Sequence, residues 1–320
     1  MTLIQLKYVV AVDTYRHFAS AAEHSFVTQP TLSMQISKME KELDILIFDR
    51  TKHPVEPTEI GKKIIQQARI VLQEAHRIDE IIKGSKGLVS GEFRLGIIPT
   101  VSPALLPRFL RTIISKYPEI HLRIDELQTD QILEKLSKNQ LDAGILSTPL
   151  DEPGMIEKPL YYEPFMAYVP ENHRLAGESF VLHSELQLND ILLLKSGHCF
   201  RQNVINLCSG AFPGLKQNDH FEFESGNFET LIKLSNQGFG MTLIPYLTAL
   251  DLSESDRTHL KPIEHPQPSR EISIIHTKAQ LKLSIVNLLI EEIKAHVPKK
   301  LLQADDSKPV SPNQKKANFV

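Results

Sequence analysis

Phe18-Ala19-Ser20-Ala21-Ala22, then Thr28-Gln29-Pro30-Thr31-Leu32-Ser33-Met34-Gln35-Ile36-Ser37-Lys38-Met39-Glu40-Lys41-Glu42-Leu43, is the stretch on which the fold turns. The first block is a compact, Ala-rich helix. The second opens as a helix start, with Thr28 as N-cap and Pro30 tolerated in the first turn. Leu32, Ile36, Met39 and Leu43 then recur at helical spacing and form one apolar stripe. The opposite face shows Gln29, Thr31, Ser33, Met34, Gln35 and Lys38, side chains able to bond base edges and phosphates. Together the blocks read as a helix-turn-helix whose second helix enters a major groove, preceded by a helix with Leu6, Val9 and Val10 on one face.

Downstream, Thr58 to Lys83 reads as one long helix, ~38 Å if fully formed. Ile60, Ile64, Ala68, Val71, Ala75, Ile78 and Ile82 are spaced 4, 4, 3, 4, 3 and 4. That alternation is a heptad seam, so Ile64, Val71 and Ile78 are expected to dimerise; the competing reading packs the helix on its own domain. Gly84-Ser85-Lys86-Gly87 ends it. Beyond Ser90, strands alternate with helices. Strands are expected at 93–98, 121–127, 142–147, 165–169, 220–224, 241–245 and 271–276, and helices at 103–116, 129–138 and 227–237. That is an α/β arrangement with room for two lobes. Residues 301–320, rich in Lys, Asp, Ser, Pro and Asn, read as a disordered tail.

The 320 residues allow two or three compact units, and 41% hydrophobic with 23% charged residues is an ordinary globular balance. Two cysteines cannot frame a secreted fold of this size, which points to a reducing cytoplasm. No apolar run approaches a membrane span. Lys7 and Asp13 interrupt the apolar N-terminus, which excludes a typical signal peptide. The net charge of −3 carries no hint of nucleic acid, and from Thr28 to Lys63 six basic residues balance six acidic ones. Thirteen histidines without paired spacing argue against a metal site. Gly61-Lys62 lacks an upstream glycine loop, and Gly238-Phe239-Gly240 lacks the third glycine of a dinucleotide fingerprint. No cofactor is expected.

The headpiece blocks, with Phe48-Asp49-Arg50, Thr58 and Gly61, resemble the N-terminal domain of LysR-type transcriptional regulators. The resemblance spans roughly residues 1–298. It implies a winged helix-turn-helix at 1–58, a linker (dimerisation) helix and hinge at 59–87, and at 88–300 a two-lobed α/β regulatory domain like a periplasmic binding protein. It also implies a homotetramer built as a dimer of dimers, promoter DNA and RNA polymerase as partners, and Arg50 and Lys52 on phosphate in the wing. Within the family the chain is similar to the peroxide-sensing members. Gly96-Ile97-Ile98-Pro99-Thr100-Val101, Gln128-Thr129, and Gly197-His198-Cys199-Phe200-Arg201 followed by Cys208 carry that match. The departures are Ser37 and His53, where relatives often carry arginine, Pro57 for a common leucine, and Gln202 for an acidic residue.

Two lone cysteines are usually small buried hydrophobes. Here His198 and Arg201 flank Cys199, so a nearby cation would favour its thiolate. Peroxide would convert that thiolate to a sulfenic acid, and Cys208 would resolve it to a disulfide. A thiol reductant would reset the pair. The resemblance places Thr100, Thr129, His198, Arg201 and Arg270 in the peroxide pocket. Phe200, Val204 and Leu207 have helical spacing. A helix over 200–208 would hold the two Cα atoms about 13–14 Å apart, beyond the ~7 Å limit of a disulfide. Oxidation would then unwind it and act as a switch; a loop there would switch weakly. Two rivals stand beside this reading: a LysR-type regulator answering a small organic ligand in the cleft, and a thiol peroxidase.

Overall fold

In this computed structural model the structure describes residues 1–85, 90–208, 225–303 and 308–310. The chain divides into two compact units, Met1–Leu88 and Val89–Val320.

The first unit is a winged helix-turn-helix with a long helix. Helix α1 (Leu3–Tyr15) starts from a reciprocal cap: Gln5 N donates to Thr2 Oγ1 and Thr2 N to Gln5 Oε1. It buries Leu6, Val9 and Val12, so Val12 rather than the expected Val10 completes its inner face. Helix α2 (Phe18–His24) buries Ala21 and Ala22, whose small side chains let it sit close against α3 (Gln29–Leu43). Thr28 caps α3 through Thr31 N, and Leu32, Ile36 and Met39 are fully buried. Leu43, expected on that stripe, lies exposed in the last turn, because the chain leaves the helix at Asp44 in the left-handed conformation. Strands β1 (Phe48–Asp49) and β2 (Glu56–Pro57) pair antiparallel as the wing. Helix α4 (Glu59–Ser85) follows, and Thr58 Oγ1 accepts from Gly61 N at its start. Gly61 has a packing reason: a Cβ there would fall 2.0 Å from the Ile47 carbonyl oxygen.

The second unit has two cores on one mixed sheet. In chain order come β3 (Gly91–Ile97), α5 (Ser102–Lys116), β4 (Ile120–Glu126), α6 (Thr129–Ser137), β5 (Ala143–Thr148) and β6 (Met155–Tyr168). Then follow β7 (Ile191–Leu192), α7 (Cys199–Leu207), α8 (Phe228–Asn236), β8 (Met241–Pro245), α9 (Tyr246–Leu250), α10 (Glu254–Arg257), β9 (Leu260–Pro262), β10 (Pro268–Thr277), α11 (Leu283–His296) and β11 (Lys308–Pro309). Among the described residues the strand order is β4-β3-β5-β10-β6-β8-β7, with β11 beside β10 and β9 beside β6. Strands β4, β3 and β5 are parallel, as crossovers through α5 and α6 require. The first core lies around β3, β5, α5 and α11, and the second around the end of β6, β8, α7 and α8. Strand β6 serves both: Met155–Pro164 pairs with β10, and Phe165–Tyr168 with β8 and β9.

Two sequence expectations are corrected, and one helix is added. The strand expected at 165–169 is the end of a strand that begins at Met155. Pro159 and Pro164 mask it, but Pro159 falls at the irregularity between Ile272 and Ser273, where proline is tolerated in a strand. Helix α11 went unread, although Ile285, Val286, Leu289 and Ile293 pack it into the first core. Within the tail at 301–320, Lys308–Pro309 pairs in parallel with Pro268–Ser269, and Val310 is buried in the second core. The start of β10, Pro268–Ser269, lies beyond the stretch that β5 covers, and it supplies backbone partners that composition does not reveal. The strand expected at 220–224 lies outside the described residues.

Candidate redox site and DNA-facing helix

Gly197 adopts φ +91°, and a Cβ there would meet the Gln128 amide at 2.7 Å. The turn therefore admits glycine only, and it aims the next residues into the cleft between the two cores. His198 is the N-cap of α7 and Cys199 its first residue. Thr129, first residue of α6, faces it: Thr129 Oγ1 and Cys199 Sγ are hydrogen-bonded at 2.9 Å. Thr129, Asp130, His198, Cys199, Arg201 and Gln202 help line a cleft of about 310 Å³.

Arg270 is 1% exposed, on β10. Its Nη1 donates to Thr100 Oγ1 at 2.9 Å and its Nη2 to the Thr100 carbonyl at 2.9 Å. Nε and Nη2 also donate to Glu163 Oε2, at 3.0 and 2.8 Å. The guanidinium lies over the Phe200 ring, 5.2 Å from its centroid, so the start of α7 packs against it. Phe200 in turn packs tilted against Phe165 and edge-on to Phe228. Glu163, with equally negligible exposure, was not foreseen. A carboxylate beside a proline in a strand resembles any surface residue until the fold buries it opposite an arginine.

Burial pushes the Cys199 thiol up from its ordinary value, and Asp130 adds to this. The Thr129 hydroxyl and the Arg270 charge pull it down without cancelling the desolvation. The expected cationic flank is not formed as foreseen. Burial, with Lys195 nearby, holds His198 below its ordinary value and so favours the neutral ring, while Arg201 Nη1 donates to the Leu194 carbonyl. Of the cations, Arg270 on β10 lowers the thiol through its charge. Cys208 is the C-cap of α7, buried in the second core, and desolvation pushes its thiol up to about 12. A helix from Cys199 to Leu207 separates the two Cα atoms by about 13–14 Å. Both thiols are free.

On α3, Gln29, Met34 and Lys38 are exposed, and Thr31 and Ser33 partly so. Gln35 accepts from Gln5 Nε2 at 3.3 Å, which fixes its amide. Arg50 is not a free wing contact: it donates to Ser33 Oγ, Ser37 Oγ and Glu40 Oε2, and lies 5.0 Å from the Phe18 ring centroid. It braces α3. Glu40, buried, also accepts from Ile47 N and Phe48 N, so one of the six local acidic charges is neutralised inside. Lys52 pairs with Glu56 across the wing at 2.5 Å. Along α4 the seam is split. Ala68 is buried in the headpiece core beside Ile65, which lies off the seam, and Ile64 and Val71 pack partly against that core. Ile78 is 61% exposed. The helix begins on its own domain and leaves Ile78 unpartnered among the described residues; the Ile82 side chain lies outside them.

The model of bacterial regulatory helix-turn-helix proteins of the lysR family matches residues 3–62, and that of the LysR substrate binding domain matches residues 86–298. A hydrogen peroxide-inducible genes activator of Haemophilus influenzae is 35% identical over 86% of this chain and 90% of its own. The DNA-binding transcriptional dual regulator OxyR of Escherichia coli K12 is 34% identical over 95% of this chain and all of its own. Among solved structures, full-length OxyR of Pseudomonas aeruginosa, a cysteine-to-aspartate variant, superposes with a TM-score of 0.77 at 31% identity, covering 92% of this chain and 95% of that one. A cysteine-to-serine variant of Corynebacterium glutamicum OxyR with hydrogen peroxide bound superposes with a TM-score of 0.59 at 27% identity, covering 92% of each chain.

Proposed function

The chain belongs to the LysR family of bacterial regulatory helix-turn-helix proteins, and on that premise we propose that it is a DNA-binding transcription regulator that senses hydrogen peroxide through Cys199. One observation carries the reading. Cys199 stands at the cleft end of α7 against the Thr129 hydroxyl, and Cys208 stands at the other end of the same helix. The relatives named for peroxide-inducible genes and the peroxide-bound neighbour support it.

In the first step the Cys199 sulfur, losing its proton, attacks one oxygen of peroxide. The O–O bond breaks, and the departing hydroxide takes a proton to become water, leaving a sulfenic acid. Thr100, Thr129, His198, Arg201 and Arg270 are the pocket groups, of which Thr129, His198 and Arg201 line the cleft beside Cys199. Thr129 can bond the sulfur or the incoming oxygen, and Arg270 stabilises developing negative charge. In the second step the Cys208 sulfur attacks the Cys199 sulfur, the S–O bond breaks, and a second water leaves. Cys208 is a poor nucleophile while buried, and the distance forbids the bond while α7 stands, so this step unwinds the helix. A dithiol reductant returns both thiols. The headpiece, 1–58, binds two-fold promoter sites in the major groove through Gln29, Thr31, Ser33, Met34, Gln35 and Lys38. Ile78 on the 59–87 segment pairs subunits, and residues 88–300 sense. A dimer of dimers on DNA, contact with RNA polymerase and a cytoplasmic location complete the proposal. Among the described residues no helix is long and apolar enough to cross a membrane.

Mass spectrometry after stoichiometric peroxide tests it, with a footprint on promoter DNA beside it. A Cys199–Cys208 link and an altered footprint are expected. Unlinked cysteines with an unchanged footprint would overturn the reading, and sustained peroxide turnover with a reductant would make the protein a thiol peroxidase.

A further inference from the structure

The C-terminal strand is tied to the helix that oxidation must unwind. Val310 N donates to the Ser269 carbonyl at 2.8 Å, continuing the β11–β10 pairing. Asn203, in the middle of α7 between the two cysteines, is fully buried and donates its Nδ2 to the Val310 carbonyl at 2.5 Å. The Val310 side chain enters the same core as Phe200, Val204 and Cys208. A polar group buried inside a helix is unfavourable unless bonded; among the described residues the Asn203 Nδ2 bonds the Val310 carbonyl, while its Oδ1 has no partner. Ser269, which holds the tail, is the residue before Arg270, so three residues bridge the cysteine helix and the strand carrying the pocket arginine.

We propose that Lys308–Val310 is an intramolecular latch: it docks in the groove between β10 and α7 while both cysteines are thiols, and it is released when α7 unwinds. The proposal rests on the peroxide-switch reading above for its physiological meaning. Its physical basis is linkage. A segment that binds only the helical form stabilises that form, so its docking free energy adds to the barrier against disulfide formation. The latch thereby raises the amount of peroxide needed to switch.

The test uses the full chain with Val310→Asp, which places a carboxylate in the apolar groove, and Asn203→Ala, which removes the donor from the helix side. Hydrogen exchange read by mass spectrometry in the thiol form is the first measurement. Exchange over residues 200–208 should rise roughly fivefold to tenfold in either variant, the scale of one buried hydrogen bond with part of a valine side chain. The second measurement is the peroxide dose for half-linkage of Cys199 to Cys208, which should fall in both variants. The third is the Val310 amide in wild type, protected with thiols and exchanging freely once the disulfide forms. Unchanged exchange over 200–208 in Val310→Asp, or a Val310 amide still protected in the linked protein, overturns the latch. If wild type never links its cysteines, the switch reading fails, while the thiol-form exchange still decides whether the tail holds the helix.

Discussion

Replacing Glu163 should damage the regulatory unit more than any surface change, and the size follows from its surroundings. Glu163 and Arg270 are each 1% exposed. Glu163 Oε2 accepts two guanidinium bonds, and its Oε1 accepts from Leu247 N at 2.8 Å. Glu163→Ala strands a buried guanidinium and a buried backbone donor together. Breaking one side of a buried ion pair costs about 3–5 kcal/mol. At about 2–4 °C per kcal/mol for a unit of this size, the midpoint should fall by roughly 6–20 °C. Glu163→Gln retains the shape and some of the bonding and should cost about 1–3 kcal/mol. The double variant Glu163→Met with Arg270→Met removes both charges and should cost less than Glu163→Ala alone. Thermal unfolding of wild type, Glu163→Met, Arg270→Met and the double variant gives the cycle. The chemistry should shift too. With its counter-ion gone, the Arg270 charge acts more strongly on the sulfur, so alkylation of Cys199 near neutral pH should be faster in Glu163→Gln and slower in Arg270→Gln. A loss below about 1 kcal/mol in Glu163→Ala, or a double variant as unstable as the sum of the singles, would refute the argument from charge compensation.

Arg50→Ala should lower headpiece stability as well as DNA affinity, because the guanidinium braces Ser33, Ser37 and Glu40 on α3; melting of the variant without DNA separates this from a lost phosphate contact. Ile78→Asp should yield smaller particles by light scattering while headpiece melting stays unchanged, whereas Val71→Asp should disturb both, since Val71 packs on the headpiece core. The buried histidines set an acid limit. Burial, as the largest cause, lowers His173, His198 and His276 below 6.5, so the unfolded chain takes up their protons first as pH falls. Their contribution is present above pH 6.5 and is lost as the pH drops through the lower folded values, so the melting temperature should decline from pH 7.5 to 5.5, and less steeply in His198→Asn.

The chain's local chemistry was legible wherever a residue acts on near neighbours. The Thr28 cap, the Leu32–Ile36–Met39 stripe, the strand at 241–245 and the helix between the cysteines all follow from spacing, because propensity, capping and burial on one face are settled within a few residues. From that helix alone came the conclusion that a disulfide must unwind it. Partners from distant stretches were beyond such a reading. Glu163 meets Arg270 across 107 residues, Asn203 meets Val310 across another 107, and Thr129 meets Cys199 across 70. The environment of the thiol was likewise decided by packing: sequence neighbours suggested that His198 and Arg201 would charge it, whereas the fold desolvates one, turns the other to the Leu194 carbonyl, and brings up the Arg270 that only the resemblance had placed in the pocket. Burial and long-range pairing depend on the whole sheet closing. Such terms set a thiol's pKa, a buried carboxylate's role and a tail's docking, and only the tertiary structure contains them.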